Sequence, residues 1–467
     1  MEIYAITPVF ALILLIAAAG GSRGLLILVA AMVPFGMLAV IGLPAVGGLS
    51  LLAVNMAAAA LVGGRGLVLV SRIVARRPIH LDGASIALIC FALYAVFSAT
   101  VLVRLFAGEI MVFPLARDVA GTRVSTFFAW GKTWLGPSNA NISQTFYVLL
   151  ACAFFLAARD ALRQWGPDFG ARCMALAAGV NIALGLMDLM AMDALLDLVR
   201  TANYSLINAA TVQGIPRVIG GYSEAAGFGA ASALFFAFFA PGWLETGRGR
   251  DGLLALGNGA FALLALSSTG VIAMAVICAL LLPRLIAPLR GGLGRGQMLG
   301  LALMLALGGL ALAGLLILTP APEMIASVIG DLIVNKSQSA SGMERTAWAM
   351  GGLETLRDTW GLGAGTGSLR SNGLAFVLLG SMGVIGTGAF LAFLVLAFTG
   401  RPAPAHRVVM AQARLGAVAV LVTMLLAATI PDPGIPLVFL AAIALAARDP
   451  RPAPRTLPFP TAQRTAP

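Results

Sequence analysis

The sequence predicts an all-α integral membrane protein with about 12–13 transmembrane helices, and three observations support this prediction. Hydrophobic residues make up 60% of the chain, charged residues make up 10%, and the mean hydropathy is +0.97. These values lie outside the range of soluble domains. Apolar stretches of about 20 residues, the length that crosses a bilayer, follow one another along the chain. The longest polar interruption, 320–372, comes late in the sequence.

The apolar stretches predict one polytopic domain, 1–448. Thirteen spans lie near 4–20, 24–43, 47–63, 84–107, 144–159, 172–190, 224–244, 252–268, 270–289, 297–319, 373–397, 407–430 and 434–448. The first stretch lacks the basic start and the small-residue cleavage pattern of a secretory signal, so we expect it to be retained. The proline-rich segment 449–467 is predicted to be a disordered cytoplasmic tail.

Charge divides the loops between these spans into two sets. One set carries a summed charge of +14 and consists of 20–24, 64–83, 159–172, 245–251, 283–296, 399–414 and 448–467. The other set sums to zero and consists of the long loops 108–143, 191–222 and 320–372. The positive-inside rule places the first set, with the C-terminus, in the cytoplasm and the long loops outside. The net charge of +11 is thus explained by topology, and nucleic-acid binding need not be invoked.

Cysteine and histidine placement bears on disulfides and metals. Cys90, Cys152, Cys173 and Cys278 fall within or at the ends of predicted spans, so we expect no disulfide framework outside the membrane. No His, Cys or carboxylate cluster with metal-ligand spacing occurs in the outer loops. We therefore predict neither a metal nor a cofactor.

The first outer loop ends in amide and hydroxyl side chains that include Asn141 and Gln144. Such groups can hydrogen-bond to sugar hydroxyls, which makes the two residues candidate substrate ligands. A solvated loop with turn residues explains the same cluster, and both interpretations stay open.

The second outer loop runs into an apolar span through Arg217, Gly220, Gly221 and Glu224. An acidic residue at the mouth of a transmembrane helix is costly unless it is paired or in a polar cavity, so Glu224 is a functional candidate. The alternative is an acid that complements the dipole at a helix N-terminus.

The third outer loop contains a predicted amphipathic helix on the membrane surface. Ser341 and Glu344 have the spacing of a capping box, which favours a capping role for Glu344. An apolar stripe follows at Met343, Ala347, Met350, Leu353, Leu356 and Trp360. Arg345 lies off this stripe and is free to face a ligand.

A glycine-rich run, 361–367, follows this helix, and Arg370, Ser371 and Asn372 come immediately before the next span. Alternating glycines alone are a weak indication of a phosphate site. Arginine presents a planar set of donors suited to two-oxygen contact with a diphosphate. The alternative for Arg370 is an anchor that reaches the lipid headgroups.

Several of these motifs, taken in order, resemble the O-antigen ligase and polymerase superfamily. The matching residues are Ser341-Gly342-Met343-Glu344-Arg345-Thr346-Ala347-Trp348, Gly361-Leu362-Gly363-Ala364-Gly365-Thr366-Gly367-Ser368, Ser371-Asn372, Gly383-Val384-Ile385-Gly386, and upstream Arg217 with Gly220-Gly221 and Glu224. The resemblance covers 210–400 best. It implies a GT-C-type membrane glycosyltransferase that uses a polyprenyl-diphosphate-linked oligosaccharide at the outer face of the bacterial inner membrane, with 320–372 as its catalytic loop.

One departure from the family distinguishes two branches. Ligases carry a histidine at the position of Ser371, whereas the histidines here, His80 and His406, are on predicted cytoplasmic loops. The sequence therefore favours an exopolysaccharide or O-antigen polymerase. A ligase-type transferase to another acceptor is the alternative, as is a non-enzymatic polysaccharide transporter or scaffold.

The resemblance and the chemistry together assign roles to the candidate residues. Arg345 and Arg370, assisted by Arg217, are expected to hold the donor diphosphate, because fixed cations stabilise the charge that grows on a leaving group. Glu224 is the expected base for the acceptor hydroxyl. Further substrate ligands are Asn141, Gln144, Ser371 and Asn372. Besides the lipid bilayer, a chain-length regulator and polysaccharide export proteins are candidate partners.

Overall fold

The computed structural model describes residues 2–43, 49–78, 81–115, 131–202, 211, 216–289 and 340–449. Three predicted features fall outside this described part: the span 297–319, the start of the long loop at 320–339, and the tail from residue 450 onward. Each of the other predicted spans overlaps a helix.

Helices account for most of the described chain. They are α1 (Thr7–Ala19), α2 (Gly21–Met32), α3 (Ala53–Val74), α4 (Gly83–Phe97), a π-helical turn (Ser98–Leu102), α5 (Val103–Leu105), α6 (Asn139–Trp165), α7 (Pro167–Leu189), α8 (Asp193–Leu196), α9 (Ala225–Thr246), α10 (Gly249–Leu264), α11 (Ser268–Leu289), α12 (Ala340–Asp358), α13 (Leu374–Phe398), a 3₁₀ turn (Pro404–His406), α14 (Arg407–Ala427) and α15 (Gly434–Ala446).

Seven helices in the described ranges are long and apolar enough to cross a membrane: Ala53–Val74, Gly83–Leu105, Asn139–Trp165, Pro167–Leu189, Ala225–Thr246, Leu374–Phe398 and Pro404–Ala427. Shorter apolar helices include α1, α2 and α15. The chain therefore has the architecture of a multi-pass membrane protein, as the hydropathy pattern predicts.

Short strands correct the all-α prediction at the ends of the helices. The predicted span 24–43 is helical only to Met32, and Pro34, which has no backbone N–H to continue the helical hydrogen bonds, follows two residues later. Three antiparallel strands are then formed by β1 (Glu2–Ile3), β2 (Ala39–Leu43) and β3 (Leu49–Leu52). A second antiparallel pair joins β4 (Met111–Val112) to β5 (Thr133–Trp134).

Helix α9 is the most deeply buried of the long apolar helices. Its phenylalanines Phe235, Phe236, Phe238 and Phe239 are fully buried, and it packs against α7, α10, α11 and α14. The aromatic side chains fill the space between these helices and give the bundle a close-packed core.

Segments from distant parts of the sequence meet at one end of the bundle, which we call the loop end. It comprises the described parts of 33–52, 105–138, 197–224, 359–373 and 428–433. Backbone hydrogen bonds join these segments, from Met37 N to Gly221 O (3.0 Å), from Arg370 N to Phe113 O (2.7 Å) and from Gly373 N to Ala428 O (2.8 Å). The long outer loops of the sequence analysis therefore share one end.

The other end of the bundle, which we call the basic end, collects the turns with an excess of Lys and Arg. Its contacts run from Arg448 Nη1 to Leu396 O (2.9 Å), from Arg414 Nε to Phe398 O (2.7 Å), from Arg72 Nη1 to Asp160 Oδ1 (3.0 Å) and from Ala403 N to Ala447 O (2.9 Å). Helices α6, α13 and α14 each run from one end to the other. The described parts of the two loop sets that charge distinguishes thus lie at opposite ends, and the charge rule predicts that the basic end faces the cytoplasm.

Candidate active site

A buried arginine at the loop end is the centre of the candidate site. The guanidinium carbon of Arg370 lies 3.9 Å from the centroid of the Trp348 ring. Arg370 is 7% exposed and Trp348 is 5% exposed. A cation stacked on indole is stabilised most when both are removed from water. Arg370 thus lacks the exposed position of a headgroup anchor, and Trp348 is a platform for it.

Glu344 lies one helical turn before Trp348 and is 6% exposed. Its Oε1 atom is buried and accepts no hydrogen bond within the part of the chain that the structure describes. Burial raises the pKa of the Glu344 carboxyl, while the positive charges of Arg370 and Arg345 oppose this increase. We call Glu344, Arg345, Trp348 and Arg370 the arginine–tryptophan site.

The predicted cap at Glu344 is wrong. Ser341 lies inside α12, which already includes Ala340, so Ser341 is not the residue that precedes the helix. A capping box needs its serine in the non-helical position before the first turn. The Glu344 carboxylate is instead directed to the interior beside the two arginines.

Arg345 neighbours Glu344 on α12 and is half-buried. Its guanidinium makes no hydrogen bond or ion pair with any residue in the described ranges, and its charge acts on Glu344 over a longer distance. The site therefore combines two permanent positive charges with one carboxyl group.

The two faces of α12 have different roles. Glu344 and Trp348 lie on the face that packs against α13. Met343 and Met350, from the predicted apolar stripe, are exposed, and Trp360 just beyond the helix is 82% exposed. The stripe is thus the outer surface of α12, where a membrane-surface helix presents its apolar side chains.

Ser371 and Asn372, both predicted to bind substrate, contact the backbone of neighbouring elements. Ser371 is fully buried, and its Oγ donates to Trp348 O at 3.1 Å. Asn372 Nδ2 donates to Leu426 O at 3.3 Å. These contacts position the chain on both sides of the site, since one joins α12 and the other joins the end of α14.

The glycine-rich run does not form a phosphate cradle. The backbone amides of Ala364 and Gly365 donate to Gly380 O (2.8 Å) and Ser381 O (2.9 Å), and the amide of Thr366 donates to Ser98 Oγ (3.2 Å). These donors are occupied by α13 and the π-helical turn. The run therefore acts as a connector that fixes the backbone leading to Arg370.

Glycine is required in this run because the backbone is left-handed and closely packed. Gly363 and Gly365 have φ of 85° and 101°, a region that side-chain-bearing residues rarely adopt. A Cβ on Gly363 would lie 2.5 Å from Gly383 N, where α13 kinks, and one on Gly365 would lie 2.5 Å from Ser98 O. The run is wedged between two irregular turns of neighbouring helices.

Asn141 and Gln144 lie in the first turns of α6. The Asn141 carbonyl accepts from Ser138 N at 2.8 Å, and its Nδ2 donates to Thr366 O and Ser368 Oγ, both at 2.8 Å. Its amide therefore joins α6 to the glycine-rich run. Gln144 is buried, and its Oε1 accepts no hydrogen bond from the described residues.

A second arginine–glutamate pair precedes α9. Glu224 is exposed and occupies the N-cap position of α9, but its side chain forms no capping hydrogen bond. Arg217 is half-buried, and its Nε approaches Ala265 O at 3.4 Å. Burial lowers the pKa of Arg217, and the negative charge of Glu224 opposes this decrease. We call Arg217 and Glu224 the entrance pair.

The glycines between these two residues are held by a buried ion pair that the motif analysis did not identify. Arg200 Nη2 lies 2.6 Å from Asp188 Oδ1, and both side chains are buried or nearly so. Asp188 Oδ2 accepts from the amides of Ile219 (2.6 Å) and Gly220 (3.1 Å), while Arg200 donates to Gly220 O. Asp188, placed by the sequence within a span, is thus at the end of α7 and shapes this turn.

The structure therefore brings Arg345 and Arg370 together and, separately, Arg217 and Glu224. Helix α12 packs against α13 and β4, whereas α9 packs against α7, α10, α11 and α14. No hydrogen bond or ion pair joins the entrance pair to the arginine–tryptophan site within the described ranges. Sequence reasoning missed the Trp348 platform, although the four-residue spacing of Glu344 and Trp348 puts them on one helix face.

Comparison with known proteins leaves the family resemblance as a prediction from motifs. Within the described residues, no three His, Cys, Asp or Glu side chains converge to hold a metal ion. No protein-family model, curated protein or solved structure matches this chain.

Proposed function

We propose that the protein is a polysaccharide polymerase of the GT-C-like membrane glycosyltransferase type, with 12–13 transmembrane helices. It transfers a polyprenyl-diphosphate-linked glycan onto a growing lipid-linked glycan at the outer face of the bacterial inner membrane, and it needs no metal. The observation that carries this proposal is the buried guanidinium of Arg370, which is stacked on Trp348 beside Arg345.

A diphosphate leaving group explains why a membrane protein would bury such a cation. Charge accumulates on the diphosphate as the glycosidic bond breaks, and preorganised donors away from water stabilise this charge most strongly. Stacking on Trp348 holds the guanidinium plane in one orientation, which suits two-oxygen contact with phosphate. Arg345, which is half-buried on α12 with Trp348, supplies the second positive charge.

The exposed side of α12 suits the lipid part of the donor. Met343, Met350 and Trp360 present apolar surface to the outside of the bundle. A polyprenyl chain in the bilayer would run along this surface while its diphosphate reaches the arginines. The same helix would then bind both ends of the amphipathic donor.

Two carboxylates are candidates for the base that accepts the proton of the acceptor hydroxyl. The sequence favours Glu224, but the geometry favours Glu344, because Glu344 is next to the proposed diphosphate-binding arginines. A raised pKa brings a carboxyl closer to the value at which a general base works best near neutral pH. We assign the base role to Glu344 and keep Glu224 as its competitor.

The test is product size after a polyprenyl-diphosphate-linked oligosaccharide repeat unit is added to the purified protein in lipid nanodiscs. A ladder of repeat units, absent with Arg370→Ala, is the expected result. The ladder should persist in chelator, and loss of activity that a divalent ion restores would contradict the metal-independent mechanism.

Other outcomes would identify the alternatives. Single transfer to a supplied acceptor would identify a ligase-type enzyme. Unchanged substrate with the cognate repeat unit, in protein shown to be folded, would overturn the transferase proposal and favour a transporter or a scaffold.

A further inference from the structure

A cavity of about 120 Å³ lies between α3, α6 and α15, apart from the arginine–tryptophan site. Its walls are mostly apolar, and three side chains bring polar atoms to it: Asn55, Tyr147 and Asp432. One water molecule needs a cavity volume of roughly 10–15 Å³, so this cavity has room for several waters or one sugar ring. An apolar pocket with a few polar groups is the usual form of a small-molecule site.

Two of the polar side chains in the cavity, Asp432 and Asn55, have hydrogen-bonding capacity to spare. Asp432 Oδ1 accepts from Gly434 N at 2.9 Å, and no other hydrogen bond to this carboxylate occurs within the described ranges. The Asn55 side chain is buried and makes no hydrogen bond with any described residue. Tyr147 donates its hydroxyl proton to Ser50 O at 2.8 Å.

Asp432 is partly buried and Asn55 is buried, so a hydrogen-bonding partner in the cavity would stabilise both side chains. Burial raises the pKa of Asp432 to about 6, against the opposing effect of the Gly434 amide. A buried amide or carboxylate that lacks partners destabilises the protein unless water or a ligand satisfies it. The cavity therefore offers an acceptor at Asp432 and both a donor and an acceptor at Asn55.

The cavity lies at the loop end, as the arginine–tryptophan site does. Gly373 N donates to Ala428 O at 2.8 Å, which joins the backbone three residues after Arg370 to the segment between α14 and α15. Asp432 lies four residues beyond Ala428, so at most about 14 Å of chain separates them. Both sites are therefore reached from the same side of the bundle.

We propose that this cavity is a sugar-binding subsite that takes the terminal sugar of the acceptor glycan. A ring hydroxyl donates to Asp432 and accepts from Asn55, which only a group that is both donor and acceptor can do. The C–H face of the ring packs on the apolar walls. The assignment to the acceptor rests on the proposed polymerase function, whereas sugar binding by the cavity does not.

The experiment is saturation-transfer NMR on the full chain in nanodiscs, with glucose, galactose, mannose, N-acetylglucosamine, rhamnose and glucuronic acid as separate probes. We expect at least one sugar to bind the wild type. Asp432→Asn and Asn55→Ala should each weaken that binding roughly tenfold, the cost of one or two lost hydrogen bonds. Asp197→Asn, the same chemical change at an exposed position, should bind as the wild type does.

The outcomes separate this proposal from the proposed function. Failure of all six sugars to bind, or binding that survives both cavity substitutions, overturns the subsite even if a polymer ladder forms. Sugar binding that depends on Asp432 and Asn55 upholds the subsite even if no ladder forms. If sugar binding depends on Asp432 and a polymer ladder also forms, Asp432→Asn should raise the KM for the acceptor and leave donor binding unchanged. This result would assign the cavity to the acceptor.

Discussion

The arginine–tryptophan site and the entrance pair contain the same two residue types in different surroundings. Arg370 and Glu344 are buried, with the guanidinium held against Trp348. Glu224 is exposed at the start of α9, and Arg217 is half-buried nearby. Charges in a buried, preorganised setting act more strongly on a bound ion than charges that solvent screens.

Under the proposed function, the buried site is suited to the chemical step and the exposed pair to binding the approaching substrate. A fixed cation stabilises a transition state without reorganising during the reaction. An exposed pair on a turn that Asp188 and Arg200 hold in place is suited to guiding or binding a substrate. If substitutions in the exposed pair lower activity as much as substitutions in the buried site, this difference in roles is wrong.

Arg370→Lys should have the largest effect. The substitution keeps the charge but loses both the planar two-oxygen contact and the stacking on Trp348. Removal of one preorganised donor costs a factor on the order of 10²–10³ in rate. The measurement is the rate of polymer-ladder formation in nanodiscs at equal amounts of folded protein.

Arg357→Lys is the matched control, because Arg357 is on α12, the helix that carries Trp348, and its side chain is largely exposed. We expect it to keep wild-type activity. Equal activity of Arg370→Lys and Arg357→Lys would remove the diphosphate role from Arg370.

Glu344→Gln should lower kcat by roughly 10²-fold, the lower end of what general-base catalysis contributes, whereas Glu224→Gln should change it only a few-fold. Because burial raises the pKa of Glu344, wild-type activity should fall as the pH drops through that pKa and the base becomes protonated. The rate profile of Glu344→Gln should lack this acidic limb. A large loss in Glu224→Gln with a normal profile in Glu344→Gln would reverse the assignment.

Local sequence patterns predicted the helices well, because hydrophobic length and periodicity are local properties. The apolar stripe predicted a helix where α12 occurs, and hydropathy predicted the helices that cross the bundle. The geometry of the arginine–tryptophan site depends on contacts between residues that are far apart in the sequence, which local patterns do not show. Arg370 meets Trp348 only because the glycine-rich run turns back, and the run is held by Ser98, more than 260 residues away along the chain.

One motif prediction and one weak motif indication differ from the structure for the same physical reason. Ser341 with Glu344 predicted a capping box, and the glycine run weakly indicated a phosphate site, but both patterns record only spacing. Whether an amide or a carboxylate is available depends on what packs against it. Here carbonyl groups of α13 accept hydrogen bonds from amides of the glycine-rich run. Helix α12 already includes Ala340, so Ser341 is not in the capping position.

Gly365→Ala should disturb the arginine–tryptophan site without touching a charged group. Its φ of 101° and the 2.5 Å approach to Ser98 O leave no room for a Cβ. We expect destabilisation of about 1–3 kcal/mol and, because Arg370 shifts with the run, a loss of activity of about tenfold. Gly388→Ala is the control, since a Cβ there meets open space. Equal melting temperatures and activities for the two variants would show that the run does not position Arg370.

The smallest expected effect concerns Asp432 and is measured without substrate. Its pKa is about 6 in the folded protein and 3.8 ordinarily, so between these values the folded state binds more protons than the unfolded state. Stability then falls as the pH rises through this window. Asp432→Asn removes this partly buried charge, so its melting temperature in nanodiscs should exceed that of the wild type by a few degrees above pH 6. The difference should shrink as the pH falls towards 4, and Asp197→Asn, exposed, should show no such trend. A difference independent of pH would mean that the carboxylate is already solvated, and the cavity would then be a water-filled recess open to solvent at the loop end.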